Sequence, residues 1–224
     1  MDETLYIAAK APRAGFTKTR LGGAIGHESA AALHKAFLKD LAARFADAPF
    51  ALGWYVTPPD AWHDISPLVS NGKSQERVVF QREGDWTERQ RDFFQGAVER
   101  GEKKVILIAS DSPHLTVEAV EQAFRELERH DLVFGPTYDG GYYLIGMRGF
   151  HDVLHDVPMS TDSVLDDIHA RAGQAGLSVG EIEATFDIDE VEDLEQLQKF
   201  ATTREDLAAT RAALKELGLH AEER

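Results

Sequence analysis

Val105-Ile106-Leu107-Ile108-Ala109, followed at once by Ser110-Asp111-Ser112-Pro113, is the stretch that decides how this chain is read. Five consecutive apolar residues without polar alternation describe a strand covered on both faces. Such strands belong to parallel sheets flanked by helices. The run ends on a carboxylate, and a carboxylate at the end of a buried strand is costly unless something positive satisfies it. Asp111 is therefore a candidate cation ligand. The competing reading is that it caps the turn that Pro113 fixes.

Working outward, the same alternation of strand and helix extends in both directions. Leu5–Ala9 is an apolar run suited to a first strand. Residues 28–46 carry Ala32, Leu33, Ala36, Phe37, Leu41 and Phe45 at helical spacing. Residues 50–56 read as a strand ended by Thr57-Pro58-Pro59, and 77–81 as another. Asp85 opens a helix with Glu88 in capping-box spacing, and Thr116 caps the next one. Residues 132–134 and 142–147 are strands, the second too close behind Gly140-Gly141 for a helical crossover and hence antiparallel. Ser160 and Thr161 start a helix carrying Val164, Leu165, Ile168 and Ala172, and a late strand covers 177–182. Asp189 with Glu192, and Thr203 with Asp206, have capping spacing ahead of C-terminal helices, the last at about 203–217. The reading is one α/β domain spanning 1–224, doubly wound, with a mostly parallel sheet and helices on both faces.

Composition sets limits. Of 224 residues, 43% are hydrophobic and 28% charged, an ordinary globular balance. There is no cysteine, so disulfides, thiolate zinc sites and a cysteine nucleophile are excluded. The acidic start Met1-Asp2-Glu3 does not resemble a secretory signal, and no stretch reaches the roughly 18 apolar residues of a membrane span, so a cytoplasmic protein with no membrane partner is expected. A net charge of −15 argues against nucleic acid as a partner. Against that total, Lys10, Arg13, Lys18 and Arg20 cluster with no acid among them.

In doubly wound sheets ligands bind beyond the carboxyl ends of the strands. The basic loop 10–22 lies there, with Gly15 and Gly22-Gly23 allowing close backbone approach and Lys18 and Arg20 offering charge-assisted bonds to phosphate. It is not a P-loop, because no G-x-x-x-x-G-K-[ST] occurs. The Asp111 turn lies at the same edge; two aspartates suffice for Mg²⁺ or Mn²⁺, since phosphate and water complete the shell. A third element, Phe134 to Gly146, holds Asp139-Gly140-Gly141-Tyr142, where Asp139 is a turn residue that could also face a ligand and the Tyr142-Tyr143 pair could flank a ring or sugar. A fourth, Phe186-Asp187-Ile188-Asp189, offers Asp187 as a second metal ligand beside Asp189 as a helix cap. Ser112 has no triad partner and no G-x-S-x-G elbow, which excludes serine hydrolysis.

Taken together, Lys10-Ala11-Pro12-Arg13-Ala14-Gly15-Phe16-Thr17-Lys18-Thr19-Arg20-Leu21, Gly84-Asp85 with Glu88-Arg89, Ser110-Asp111-Ser112-Pro113, Gly135 to Gly146 and Phe186-Asp187-Ile188-Asp189 resemble the bacterial glycosyltransferase-like family related to phospholactate guanylyltransferase. The resemblance spans roughly residues 4–197. It implies a nucleotide-diphospho-sugar transferase fold of the glycosyltransferase-A type. It further implies nucleotide and phosphate contacts from Lys10, Arg13, Gly15, Lys18, Arg20, Asp85, Arg89 and Ser110, metal ligation by Asp111 and Asp187, and acceptor contacts from Gly140, Gly141, Tyr142, Ser160 and Thr161. Two departures, Gln81-Arg82-Glu83-Gly84-Asp85-Trp86 in place of a glycine-richer Q-G-x-G-D-L, and Met159 where Trp is usual, separate substrate identity from the family pattern.

The leading expectation is glycosyl transfer from a nucleoside-diphosphate sugar to a small-molecule acceptor, with Lys18 and Arg20 stabilising the leaving nucleotide and Asp139 as the candidate base. The alternative is nucleotidyl transfer, in which an acceptor phosphate attacks a nucleoside triphosphate and releases pyrophosphate. A third is a nucleotide-binding protein without turnover. Base, sugar, acceptor and oligomeric state are not written in these motifs.

Overall fold

A computed structural model describes residues 2–70, 77–158 and 163–219. Seven strands form one sheet in the order β3-β2-β1-β4-β6-β5-β7: β1 (Glu3–Lys10), β2 (Ala51–Thr57), β3 (Arg77–Phe80), β4 (Lys104–Ala109), β5 (Leu132–Pro136), β6 (Tyr142–Arg148) and β7 (Val179–Glu181). Only β6 runs antiparallel, to both β4 and β5. The strand after the glycine pair thus has the expected direction.

The unbroken apolar strands bury both faces. From β1 and β4, Leu5, Ile7, Ile106 and Ile108 join one core with α2 (His27–Phe45), α3 (Trp62–Val69) and α5 (Val117–Glu126). Tyr6, Val105 and Leu107 join the opposite core with α4 (Trp86–Glu99) and α6 (Val164–Gln174). There Phe93 is wedged between Tyr6 and Tyr55, ring centroids 5.0 and 4.7 Å away. Each such ring buried contributes roughly 1.5–3 kcal/mol. A third cluster joins α1 (Thr19–Ile25) and α2 to α7 (Asp193–Thr203) and α8 (Ala208–Glu216) through Leu21, Phe37, Ile188, Leu197 and Leu214.

Local capping explains several boundaries. Asp85 accepts from the Glu88 amide while the Glu88 carboxylate accepts from the Asp85 amide, closing the expected box. Thr116 accepts from the Ala119 amide at the start of α5. Other expectations are corrected. The basic loop is shorter than 10–22, because α1 begins at Thr19; Gly22 is there for packing, since a Cβ would meet the His27 ring at 2.4 Å. Asp189 does not cap α7. That helix starts at Asp193, whose carboxylate reaches back to accept from the Asp189 and Glu190 amides at 2.8 and 2.7 Å. Thr203 ends α7 rather than starting a helix, and the last helix is Ala208–Glu216, not 203–217. Its first amides, Ala209 and Thr210, donate to Asp40 of α2. The helix start at Ser160 and Thr161 lies outside the described residues; α6 is described from Val164.

Candidate functional site

The turns after β1, β3 and β4, with the segment after β7, enclose a cleft of about 320 Å³ at the carboxyl edge of the sheet. Lys10, Lys18, Arg20, Arg89, Ser110 and Asp111 all line it. The parallel register of β1 and β4, with Ala8 opposite Ala109, brings the basic loop and the Asp111 turn together.

Lys18 stands at the N-terminus of α1 in a left-handed conformation, and its side chain is 2% exposed. The ammonium lies 2.7 Å from Asp111 Oδ1, donates to the Ile188 carbonyl, and is 3.9 Å from Asp189 Oδ1. The Asp111 carbonyl in turn accepts from the Ile188 amide at 2.9 Å, tying the segment after β7 to the end of β4. Burial pushes the Asp111 carboxyl up, but the Lys18 ammonium beside it prevails and holds it below the usual range. Asp187 goes the other way: burial and the nearby Asp111 and Asp139 carboxylates raise it against the pull of Lys18.

The other basic residues are less available than their clustering suggests. Arg20 pairs with Asp189 and Glu190, and its side chain is 65% exposed. Arg13 sits apart from the cleft, with Asp60 at 2.9 Å and Asp64 at 2.7 Å beside α3. Gly15 has φ +74° and open space around it. Asp85 acts as the cap of α4 and so sets the start of the helix that carries Trp86 and Arg89. Arg89 lies 5.9 Å over the Trp86 ring and donates to Gln81 Oε1 at 3.1 Å, while Gln81 donates to the Tyr55 carbonyl. Trp86, Gln81, Thr17 and His34 line the cleft without having been picked out as site residues. Trp86 and Gln81 had a signal, since they stand in the stretch that departs from the family pattern. A single histidine in an apolar helical stripe had none.

A second cavity of about 370 Å³ adjoins the first, sharing Arg20 and Asp189, and is lined by Asp139, Asp187, Glu190, Glu192 and Asp193. Asp139 Oδ1 accepts from the Thr137 hydroxyl at 2.5 Å and the Gly141 amide at 3.2 Å, so the turn reading holds and the carboxylate also faces a cavity. Gly140 has φ +88°, and a Cβ on Gly141 would come within 2.8 Å of Thr137 Oγ1. The aromatic pair does not flank either cavity. The Tyr142 hydroxyl bonds to Gln90 of α4 and its ring meets Phe134 edge-on, while Tyr143 donates to the Glu183 carbonyl. Ser160 and Thr161 lie outside the described residues.

Among the described residues no group of three or more His, Asp or Glu side chains is arranged to hold a metal. The donor set at this edge is carboxylate oxygen with an excess of negative charge at Asp187. It fits a hard divalent ion that takes one or two carboxylates and leaves other positions to phosphate and water.

The sheet order, its single antiparallel strand and the cleft at its carboxyl edge define the nucleotide-diphospho-sugar transferase fold. A crystal structure from Desulfovibrio desulfuricans G20, provisionally described as a nucleotide-diphospho-sugar transferase, superposes with TM-score 0.86 at 27% identity over 99% of both chains. CMP:2-keto-3-deoxy-manno-octonic acid synthetase complexed with CTP (TM-score 0.57, 12% identity, 89% of this chain and 98% of that one) shares the fold. So does a cytidylyltransferase from Leptospira borgpetersenii (0.55, 14%, 100% and 98%). The chain belongs to the bacterial family described as "uncharacterized protein conserved in bacteria (DUF2064)", which matches residues 44–161. No curated protein matches it. No described helix is long and apolar enough to cross a membrane.

Proposed function

We propose that this protein is a metal-dependent transferase that binds a nucleotide-activated substrate in the Lys18–Asp111 cleft and transfers a glycosyl group from a nucleoside-diphosphate sugar. The observation that carries the reading is the pairing of two adjoining cavities of opposite character. One brings Lys10, Lys18, Arg89 and Trp86 together beside Asp111. The other is lined by carboxylates.

The first suits a base and its phosphates. Trp86 offers a stacking surface, and Arg89 is fixed by Gln81. Lys10 supplies positive charge to the phosphates as a nucleotide leaves, with the Asp111-paired Lys18 behind it. Asp111 and Asp187 would hold Mg²⁺ or Mn²⁺, which supplies Lewis-acid stabilisation of that charge. Lys18 keeps the Asp111 carboxylate ionised and oriented.

The acidic neighbour favours glycosyl over nucleotidyl transfer. A phosphorylated acceptor would meet Asp139 and Glu192, which neither Arg20 nor the ion at Asp111 and Asp187 would offset, and like charges at close range disfavour it. A hydroxyl acceptor meets no such penalty. Asp139 Oδ1 accepts from Thr137 and Gly141, so a hydroxyl proton would pass to Oδ2. The pairing of Arg13 and Arg20 with acids also weakens the case for a triphosphate, which needs more positive charge.

The test is incubation with Mn²⁺ and panels of nucleotide sugars and nucleoside triphosphates with hydroxyl and phosphorylated acceptors, read by mass spectrometry. Free nucleoside diphosphate with a glycosylated acceptor is expected; pyrophosphate release would replace this reading with nucleotidyl transfer.

A further inference from the structure

His34 lies in the middle of α2, is 1% exposed, and lines the cleft with Lys10, Thr17, Lys18, Ser110 and Asp111. Neither ring nitrogen makes a hydrogen bond. The Lys10 backbone carbonyl is close enough to favour a charged ring without closing a bond of good geometry. Burial overrides that and the Asp111 carboxylate, pushing the ring's pKa down to about 4, with Lys18 adding repulsion. At neutral pH the imidazole is therefore uncharged, with one N–H to give and one lone pair to receive.

Buried polar groups are nearly always paired, and one left unsatisfied costs stability. His114 illustrates the ordinary case: also buried, at 5% exposed, it holds Thr185 Oγ1 at 2.8 Å through one nitrogen. His34 has no such anchor, although an apolar side chain of similar volume would suit a helix face that packs through Leu33, Phe37 and Leu38. The imidazole therefore weakens the fold where it stands. Its surroundings indicate what it is kept for. The ring stands among charges of both signs, Asp111 on one side and Lys18 and Lys10 on the other, and the two ammoniums are what an anionic oxygen entering the cleft would meet.

We propose that His34 is a ligand-binding residue, donating its N–H to an anionic phosphate oxygen of the molecule that occupies the cleft and so making the bond the fold itself leaves unmade. It rests on the reading of this cleft as a phosphate site, and not on which group is transferred.

The test compares wild type with His34→Leu, His34→Met and His34→Gln, measuring melting temperature and the affinity for inorganic tripolyphosphate by calorimetry. The apolar variants should melt at the wild-type temperature or above it, yet bind at least about tenfold more weakly, the loss of one bond to a charged group. Gln, which keeps an N–H, should stay within about threefold. Met decides where Leu does not fold. Wild-type affinity in either apolar variant overturns the proposal, and so does a fall in both stability and binding in both, which would assign the ring to the fold. Absence of tripolyphosphate binding by the wild-type protein would instead sink the phosphate reading of the cleft and this proposal with it.

Discussion

Lys18 has φ 50° and ψ 46°, a left-handed conformation that costs a residue with a Cβ about 1–2 kcal/mol. The strain is offset where the side chain ends, against Asp111 and the Ile188 carbonyl in a nearly closed site. Removing one partner of such a pair is worse than removing both, because it leaves a buried charge alone. Asp111→Asn should therefore destabilise the protein by about 2–3 kcal/mol in urea unfolding, below the 3–5 kcal/mol of a fully buried pair because Asp111 is one-third exposed. Lys18→Met/Asp111→Asn should recover most of that loss, and additive losses would show the pair uncoupled. Lys10, Lys18 and Asp111 were legible in the sequence because their types and positions after strands are enough to suggest the edge of the sheet they share, whereas Arg89, inside α4, came only with the family resemblance. Arg13 was not, because its partners Asp60 and Asp64 sit at a helix that gave no periodic signal of its own. Tyr142 was misread for a related reason: its neighbour Gln90 is 52 residues away.

Among the elements, α8 is held at its start by a residue from another helix. Asp40, 4% exposed, takes the amides of Ala209 and Thr210 in place of a local cap. Asp40→Ala should cost about 1–2 kcal/mol, the usual worth of a cap, and raise amide exchange across 208–216 while leaving β1 and β4 protected; unchanged exchange there would mean that the apolar contacts of Ala213 and Leu214 hold α8 without the cap. Caps with local partners, Asp85 with Glu88 and Thr116 with Ala119, could be read directly. Asp189 with Glu192 has the same spacing as the first of these and fails. There the chain is fixed from outside by the Ile188 amide on the Asp111 carbonyl, and Asp193, one residue beyond Glu192, takes the amides instead. Spacing records what a segment could do alone; it carries no trace of a bond to the end of β4.

For the whole molecule, the sheet and its two apolar faces were legible because strand burial repeats along the chain, whereas the third cluster under α7 and α8 depends on which helices meet. That region contributes to the acid response, as does the buried His34, whose pKa is lowered over the same range. His114 is buried with its pKa pushed down to about 4 by burial and by Arg204 and Arg44, and it stacks on Phe186 at 4.2 Å. A base whose folded pKa lies below its unfolded value of about 6.5 contributes stability that is intact above pH 6.5 and lost as pH falls toward 4. The loss is on the order of 3 kcal/mol by pH 4. Asp206 is held down to about 2, with the Arg204 hydrogen bond the largest cause and Arg44 adding to it, so its contribution survives that range and disappears only from about pH 4 to 2. Chemical unfolding from pH 7.5 to 4 should thus show falling stability in the wild type and a flatter profile in His114→Gln. Identical profiles would remove His114 from the account.

The central claim, a nucleotide cleft completed by a divalent ion at Asp111, is tested most directly by nucleotide binding with and without Mn²⁺ in wild type and Asp111→Asn, with circular dichroism confirming that both are folded. Binding strengthened by Mn²⁺ in the wild type and insensitive to it in the variant is predicted; Mn²⁺ dependence that survives the substitution would contradict the account and leave Asp111 as no more than the partner of Lys18.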